Sequence, residues 1–281
     1  MSRLAWLVRA ALALAVALTL AAVASADDAT RDEASKLFAD GVQALAQQRP
    51  TDAVDDFEAV ADRGVVDATA SYDRGLAYAM RIHMGAEQPG DLGRAAHGFE
   101  EARELATDDS LQRDAETALA AVRSEVARRK ARQGSAVDMD QRASPWRTLT
   151  RALPENTWAF IAVAASLAFG CGLFLRWLAS ASRARAGAAI AIATSLPVLV
   201  LAAALTRSAR HDRLELREAI VISPSVRPSD SHGVVLPGGA VIPEAARVEL
   251  REQDGAFTEV RWGTLDAWVP TTALRPLAKA P

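Results

Sequence analysis

The chain has 281 residues, a formal net charge of −3 and a hydrophobic content of 50%, which are ordinary averages for a globular protein. Its single cysteine, Cys171, excludes an intrachain disulfide and a zinc site built from cysteines. The averages combine very apolar segments with polar ones, and the polar part is long enough for two small domains. This division into very apolar and polar segments predicts a multidomain membrane protein.

The N-terminus has the features of a secretory signal peptide. Arg3 and Arg9 precede an apolar run at 10–24, and Ala24-Ser25-Ala26 is a small-x-small cleavage pattern. We predict a signal peptide over 1–26, and the alternative is an uncleaved anchor. In either case the basic end stays in the cytoplasm and the chain that follows is exported.

Residues 27–132 have a helical composition and contain an internal repeat. Gly41 and Gly75 lie 34 residues apart, which is the period of the tetratricopeptide repeat. Small residues in this pattern allow two helices to approach closely, and aromatic residues fill the gap to the next helix pair. The positions that carry the pattern are Leu37, Gly41, Ala53, Phe57, Gly75, Tyr78, Ala95, Phe99 and Ala102.

This region resembles the tetratricopeptide family, with departures. Asp40 and Arg74 occupy the slot where a leucine usually precedes the glycine, and eight extra residues around Gly85 and Gly90 predict a longer loop in the second copy. The apolar stripe over 111–126 predicts a capping helix. The resemblance implies a groove that binds an extended peptide or a partner helix, and the alternative is a plain helical bundle.

Two uncharged apolar stretches, 157–175 and 187–206, predict a membrane hairpin. Nineteen helical residues at 1.5 Å each cover roughly 28 Å, about the thickness of a bilayer core. The hairpin has a linker before it, at 133–156, and a second linker after it, at 207–215. With the signal peptide setting the orientation, loop 176–186 is cytoplasmic and both soluble modules lie outside the inner (cytoplasmic) membrane, in the periplasm.

Beyond the hairpin, residues 216–281 predict short strands with frequent turns, which is typical of a small all-β barrel. The strand-like runs are 219–222, 234–236, 247–251, 257–262, 267–270 and 273–277, the last of them closing the module.

The same stretch resembles a bacterial SH3 domain. The likeness is carried by Arg247-Val248-Glu249-Leu250, by Phe257-Thr258-Glu259-Val260-Arg261 and by Ala267-Trp268-Val269-Pro270. Phe257 stands for the usual tryptophan of the family, and Ala267 for the glycine of its G-W-V pattern. The resemblance implies an SH3-like barrel, in which a core role is favoured over ligand binding for Phe257, Val260, Trp262, Trp268 and Val269.

The order of the modules resembles BatE, the E component of the Bacteroides-aerotolerance operon family. This resemblance implies protein partners, namely von Willebrand A-type membrane proteins and a MoxR-type ATPase, and a role in envelope stress tolerance or assembly. It supplies no catalytic residue.

The sequence has no motif of enzyme chemistry. The histidines are scattered, and no phosphate-binding loop or dinucleotide glycine pattern is present. We therefore expect a non-enzymatic, membrane-anchored scaffold that has no cofactor, no metal ion and no nucleic-acid partner. The alternative is a peptidoglycan-binding protein, because bacterial SH3 domains often contact the cell wall.

Overall fold

A computed structural model describes residues 30–134, 146, 149–150, 152–178, 181–214, 216–236 and 240–278. The predicted signal peptide and most of the predicted linker at 133–156 lie outside these residues. The described chain is mostly helical, with a small antiparallel sheet at its C-terminal end, as the sequence predicts.

The N-terminal module consists of five helices. They are α1 (residues 30–46), α2 (Pro50–Asp62), α3 (Ala68–His83), α4 (Asp91–Leu105) and α5 (Asp109–Arg132). Local signals set their ends: the Asp67 carboxylate accepts hydrogen bonds from the first N–H groups of α3, at 2.8 and 3.2 Å, and Gly64 and Gly85 follow α2 and α3 with positive φ. Helices that follow one another in sequence also pack together, so the module is a stack.

Helix α4 is enclosed on all sides. Between its first residue and Ala102, Arg94 alone is not buried. Helices α3 and α5 pack against it, and strand β1 (Arg217–Val221) of the C-terminal module also contacts it. One apolar core therefore contains helical residues together with Ile220 and Ala245.

Two long apolar helices separate the soluble modules in sequence. They are Glu155–Leu178 and Ser182–Leu214, with mean hydropathies of 2.1 and 2.3 over their most apolar windows, and both are long and apolar enough to cross a membrane. They pack against each other near Gly172, where a Cβ atom would lie 3.0 Å from Ile192. Apolar side chains on their outer faces, such as Phe160, are exposed, as expected for helices solvated by lipid.

The helices extend well past the apolar stretches. Most of predicted loop 176–186 is helical, and the predicted linker at 207–215 is helical up to Leu214. Arginine and alanine are good helix formers, so hydropathy marks the apolar part of each helix and not the helix ends. At 1.5 Å per residue, the 33-residue second helix is roughly 50 Å long and extends beyond a bilayer core.

The C-terminal module contains a five-stranded antiparallel sheet with the order β6-β5-β4-β1-β7. Besides β1, its strands are β4 (Arg247–Asp254), β5 (Phe257–Trp262), β6 (Leu265–Pro270) and β7 (Leu274–Pro276). A separate pair joins β2 (Ser225–Val226) to β3 (Ile242–Pro243).

The sheet is not a closed barrel in the described residues. Strands β6 and β7 are its two edges, and β1 pairs with β4 on one side and β7 on the other. The prediction of a strand at 234–236 is wrong: Val234 and Leu236 are exposed, and Val235 forms an isolated bridge with Ser229. These residues have strand-like composition but no continuous partner strand, so propensity alone does not order them into the sheet.

Candidate interaction sites

The predicted repeat positions lie at helix contacts. A Cβ atom on Gly41 would lie 3.0 Å from the Phe57 ring, and one on Gly75 would lie 2.8 Å from the Phe99 ring. Each ring therefore occupies the space above a glycine of the preceding helix. Leu37 is half-buried, and the remaining predicted positions are buried: Ala53, Tyr78, Ala95 and Ala102.

Arg74, which departs from the repeat pattern, belongs to a buried polar cluster between α3 and α4. Its guanidinium donates to Glu101 at 2.6 Å and lies 3.1 Å from Nδ1 of His97. The Ser71 hydroxyl donates to the same carboxylate at 2.8 Å. Burial raises the pKa of Glu101, but the positive charges around it outweigh that effect and hold the pKa below its ordinary value.

This cluster continues into the C-terminal module. The guanidinium of Arg275, on β7, donates two hydrogen bonds to Glu58 of α2, at 2.7 and 2.6 Å. The Tyr78 hydroxyl donates to the same carboxylate at 2.7 Å. Burial alone would raise the pKa of Glu58, and the hydrogen bonds and charge of Arg275 lower it below the ordinary value. A bidentate pair of this type fixes orientation as well as supplying energy.

His97 connects the cluster to the backbone of β7. Its Nε2 lies 2.9 Å from the carbonyl oxygen of Pro276, so the Nε2–H group donates and Nδ1 accepts from Arg74. Burial, helped by the charges of Arg74 and Arg275, lowers the pKa of His97 to about 4. The imidazole is therefore neutral at neutral pH.

A second ionic cluster surrounds Arg247 on β4. Its guanidinium donates to Glu100 and Glu104 of α4, and to Glu218 of the neighbouring strand β1. The Glu104 contact measures 2.8 Å. Burial lowers the pKa of Arg247, but the three carboxylates outweigh it and raise the pKa above its ordinary value. This arginine thus joins both modules through α4.

Two glycines let the sheet module approach the start of α4. A Cβ atom on Gly93 would lie 2.6 Å from both the Val221 carbonyl oxygen and the Ile222 Cα, and one on Gly90 would lie 2.4 Å from the Ile222 carbonyl oxygen. The Gly93 N–H donates to the Glu244 carboxylate at 2.8 Å. Burial raises the pKa of Glu244 despite that hydrogen bond. The contact depends on backbone approach as much as on charge.

The opposite end of the helical stack is uncovered. An open pocket of about 280 Å³ lies between α1 and the N-terminal part of α3, with Val60 of α2 among its walls. Its surface is mainly apolar. The lining residues are Arg31, Ala34, Ser35, Phe38, Val60, Val65, Asp67 and Ala70.

The SH3-like positions divide into two groups. Val260, Trp262 and Val269 are buried in the core of the sheet module. Phe257 and Trp268 are half-buried, and Phe257 packs over Gly233, where a Cβ atom would lie 2.5 Å from the ring. Trp268 lies on edge strand β6, far across the sheet from β7.

Sequence reasoning missed the contacts between the modules. No pattern links Glu58 to Arg275 or Glu100 to Arg247, because each pair is more than 140 residues apart. Two signals were present in the sequence: an arginine at an apolar repeat slot, and three glycines between Gly90 and Gly98 in a helical segment. Glycine weakens a helix unless another backbone approaches closely.

Within the described residues, no group of three or more His, Cys, Asp or Glu side chains is arranged to hold a metal ion. Comparison with protein-family models, curated proteins and solved structures finds no match for this chain.

Proposed function

We propose that this chain is a non-enzymatic, membrane-anchored scaffold of the bacterial envelope. The observation that carries the proposal is the docking of the sheet module onto α2 and α4, through Arg275, Arg247 and the close approach at Gly93. This docking makes one packed body of two modules that the apolar hairpin separates in sequence. The uncovered pocket then gives that body a surface for a partner.

The docking also bears on membrane topology. Two crossings of a bilayer return the chain to the side from which it started, and two modules in direct contact must share a compartment. The contacts therefore support the prediction of a hairpin with both modules on one side. Under this proposal the shared side is the periplasm, as the signal-peptide pattern at 1–26 indicates.

The finer architecture is part of the proposal. Two equivalent glycine–aromatic contacts, whose glycines Gly41 and Gly75 are 34 residues apart, support tetratricopeptide-like repeats in α1–α4, with α5 as the capping helix. The strand pattern and buried Val260 and Val269 support an SH3-like module, although its sheet is open. With the hairpin between them, this order resembles BatE, whose partners would be von Willebrand A-type membrane proteins and a MoxR-type ATPase.

Two measurements test the scaffold. Reporter fusions at positions 130, 181 and 281 should place 130 and 281 outside the cytoplasm and 181 inside it. Affinity purification of the full chain from solubilised membranes, after crosslinking in cells, should return envelope proteins that a hairpin-only control (152–214) does not. Opposite compartments for 130 and 281, or no specific partner, would contradict the proposal.

A second candidate is peptidoglycan binding by the sheet module. It is favoured by the half-buried Trp268, which lies on edge strand β6, two strands away from the α4-contacting strand β4, and by the half-buried Phe257 on the strand between them. Co-sedimentation of the detergent-solubilised full chain with purified cell-wall sacculi tests it. Retention that Trp268→Ala abolishes supports wall binding, and no retention rejects it.

A further inference from the structure

The uncovered end of the helical stack combines an apolar pocket with a surplus of negative charge. The pocket is formed mainly by Ala34, Phe38, Val60 and Ala70, and its volume of about 280 Å³ suits one or two apolar side chains. It is smaller than the roughly 300–1,000 Å³ of typical small-molecule sites. Its open shape favours a segment of chain lying across it over an enclosed small molecule.

The charge around this pocket is unbalanced. Residues 30–80 contain ten acidic and five basic residues. Of the five basic residues, Arg74 is buried, Arg49 pairs with Asp52 and Arg63 pairs with Glu33. The other two are Lys36 and Arg31, and Arg31 lines the pocket. They are outnumbered by the seven acids of this segment that remain when Glu33, Asp52 and the Arg275 partner Glu58 are set aside. The surface of α1–α3 therefore keeps a negative surplus, and a cationic ligand would be attracted to it.

Acidic side chains extend from the pocket along α3 towards α5. Asp67 lines the pocket and caps the N-terminus of α3, and Asp73 lies six residues further along the chain, in that helix. Burial and then the charge of Asp67 raise the pKa of Asp73. Burial raises the pKa of the Tyr72 phenol, and the negative charge of Asp114, on α5, raises it further. Within the described part of the chain, neither Asp73 nor Asp114 has a salt-bridge partner.

We propose that this surface binds a cationic segment of a partner protein, whose apolar side chain fills the pocket while its lysines or arginines face Asp73 and Asp114. The proposal rests on the scaffold function and names the chemistry of the partner at that site. Apolar burial in the pocket would provide most of the affinity, and the acids would select cationic over anionic segments. Glu58 of α2 and Glu104 of α4 cannot play this role, because they are already paired with arginines of the sheet module.

The test uses the full chain in nanodiscs of neutral phosphatidylcholine, so that lipid does not attract a cationic probe. The probe is a fluorescein-labelled synthetic peptide with a Leu-Phe pair flanked by two lysines on each side. Two matched probes replace the lysines with glutamates, or the Leu-Phe pair with Ser-Ser. Fluorescence anisotropy should show the first probe binding at least about tenfold more tightly than either matched probe.

Protein variants locate the binding. Ala70→Leu fills the pocket and should weaken the cationic probe about tenfold, while Ala120→Leu, on the exposed face of α5, should have no effect. Asp73→Asn with Asp114→Asn should weaken it about threefold and reduce its dependence on salt. Glu116→Gln is the control, because it lies two residues from Asp114 and points to another face of the helix.

Several outcomes would overturn the proposal. Equal binding of the glutamate probe removes the charge argument, and unchanged binding to Ala70→Leu removes the pocket. Concentration-dependent dimers that Ala70→Leu abolishes would identify a second copy of the chain as the occupant instead. If these tests fail while crosslinked envelope partners are still recovered, the scaffold function stands and this inference alone is rejected.

Discussion

The two ends of the helical module are built on different principles. At the closed end, where the sheet module covers α2 and α4, Arg275 pairs with Glu58 of α2 and Arg247 pairs with carboxylates of α4. At the open end, around the pocket between α1 and α3, apolar surface is exposed to solvent and acidic residues outnumber basic ones. Buried charge pairs have a single geometry that satisfies them, so they suit a permanent contact. Open apolar surface remains available, so it suits a partner that comes and goes.

The largest effect is expected for Arg247→Met at the closed end. It removes the guanidinium that Glu100, Glu104 and Glu218 share, which should cost about 4 kcal/mol of local stability although Glu100 keeps its contact with Arg103 at 2.6 Å. Hydrogen exchange of α4 and β1, followed by mass spectrometry on the full chain, measures this opening. The matched control is Arg251→Met on the same strand, whose nearest carboxylate is 4.0 Å away and whose side chain is exposed. Equal effects of the two substitutions would contradict the ionic account.

Gly93→Val tests the backbone approach at the same end. Its Cβ would meet main-chain atoms of Val221 and Ile222 at 2.6 Å, and main chain does not move aside as a flexible side chain does. We expect a loss of about 3 kcal/mol and faster proteolysis between the modules. Ala120→Val, on an exposed helix face, controls for the lower helix propensity of valine. A stable, protease-resistant Gly93→Val chain would mean that the sheet does not dock there.

His97 gives the closed end a pH dependence. Its pKa is lowered from 6.5 to about 4, so the unfolded chain binds a proton below pH 6.5 that the folded chain does not. The folded state therefore loses about 2 kcal/mol between pH 7 and pH 5. Glu58 and Glu101 have lowered pKa values, so their stabilising contribution is present above pH 4.5 and is lost only at lower pH.

The variant that isolates this histidine is His97→Gln. A glutamine can still donate to the Pro276 carbonyl and accept from Arg74, but it does not titrate. Urea unfolding in detergent at both pH values should show that most of the difference between pH 7 and pH 5 disappears. If the difference persists in the variant, other groups cause it.

The smallest effect is expected at the open end. Ala70→Leu adds an apolar side chain to a pocket with free space, and the free energy of unfolding should change by less than about 0.5 kcal/mol. The same urea titration measures it. A loss comparable to that of Gly93→Val would show that the pocket is part of the packed core, and the contrast between the two ends would then be wrong.

Local patterns predicted much of the architecture. The helical composition, the two apolar stretches and the alternating strands all appear in the structure as predicted elements. Gly41 and Gly75 contact Phe57 and Phe99, the aromatic residues that the predicted repeat pattern pairs with them. Such features follow from residues close in sequence, whose spacing the helix or strand geometry fixes.

Local patterns were insufficient where distant parts of the chain meet. The extra residues around Gly85 and Gly90 do form the predicted longer loop, at 84–90, but the sequence did not indicate that its last residue, Gly90, lies against the sheet module. The run at 234–236 has strand composition but remains outside the sheet, because pairing needs a partner as well as propensity. The two long helices extend beyond the predicted stretches 157–175 and 187–206, because hydropathy marks apolar residues and not the ends of a helix.

The sequence by itself determined which segments are helical, which are apolar enough for a bilayer and which alternate as strands, because each of these depends on periodicity over a few residues. Only the tertiary structure decided that Arg247 and Arg275 meet the carboxylates of α2 and α4, that the sheet stays open and that the pocket at Ala70 is uncovered. Those outcomes depend on charge pairs and close backbone contacts between residues far apart in the chain, and periodicity carries no information about which distant surfaces fit together.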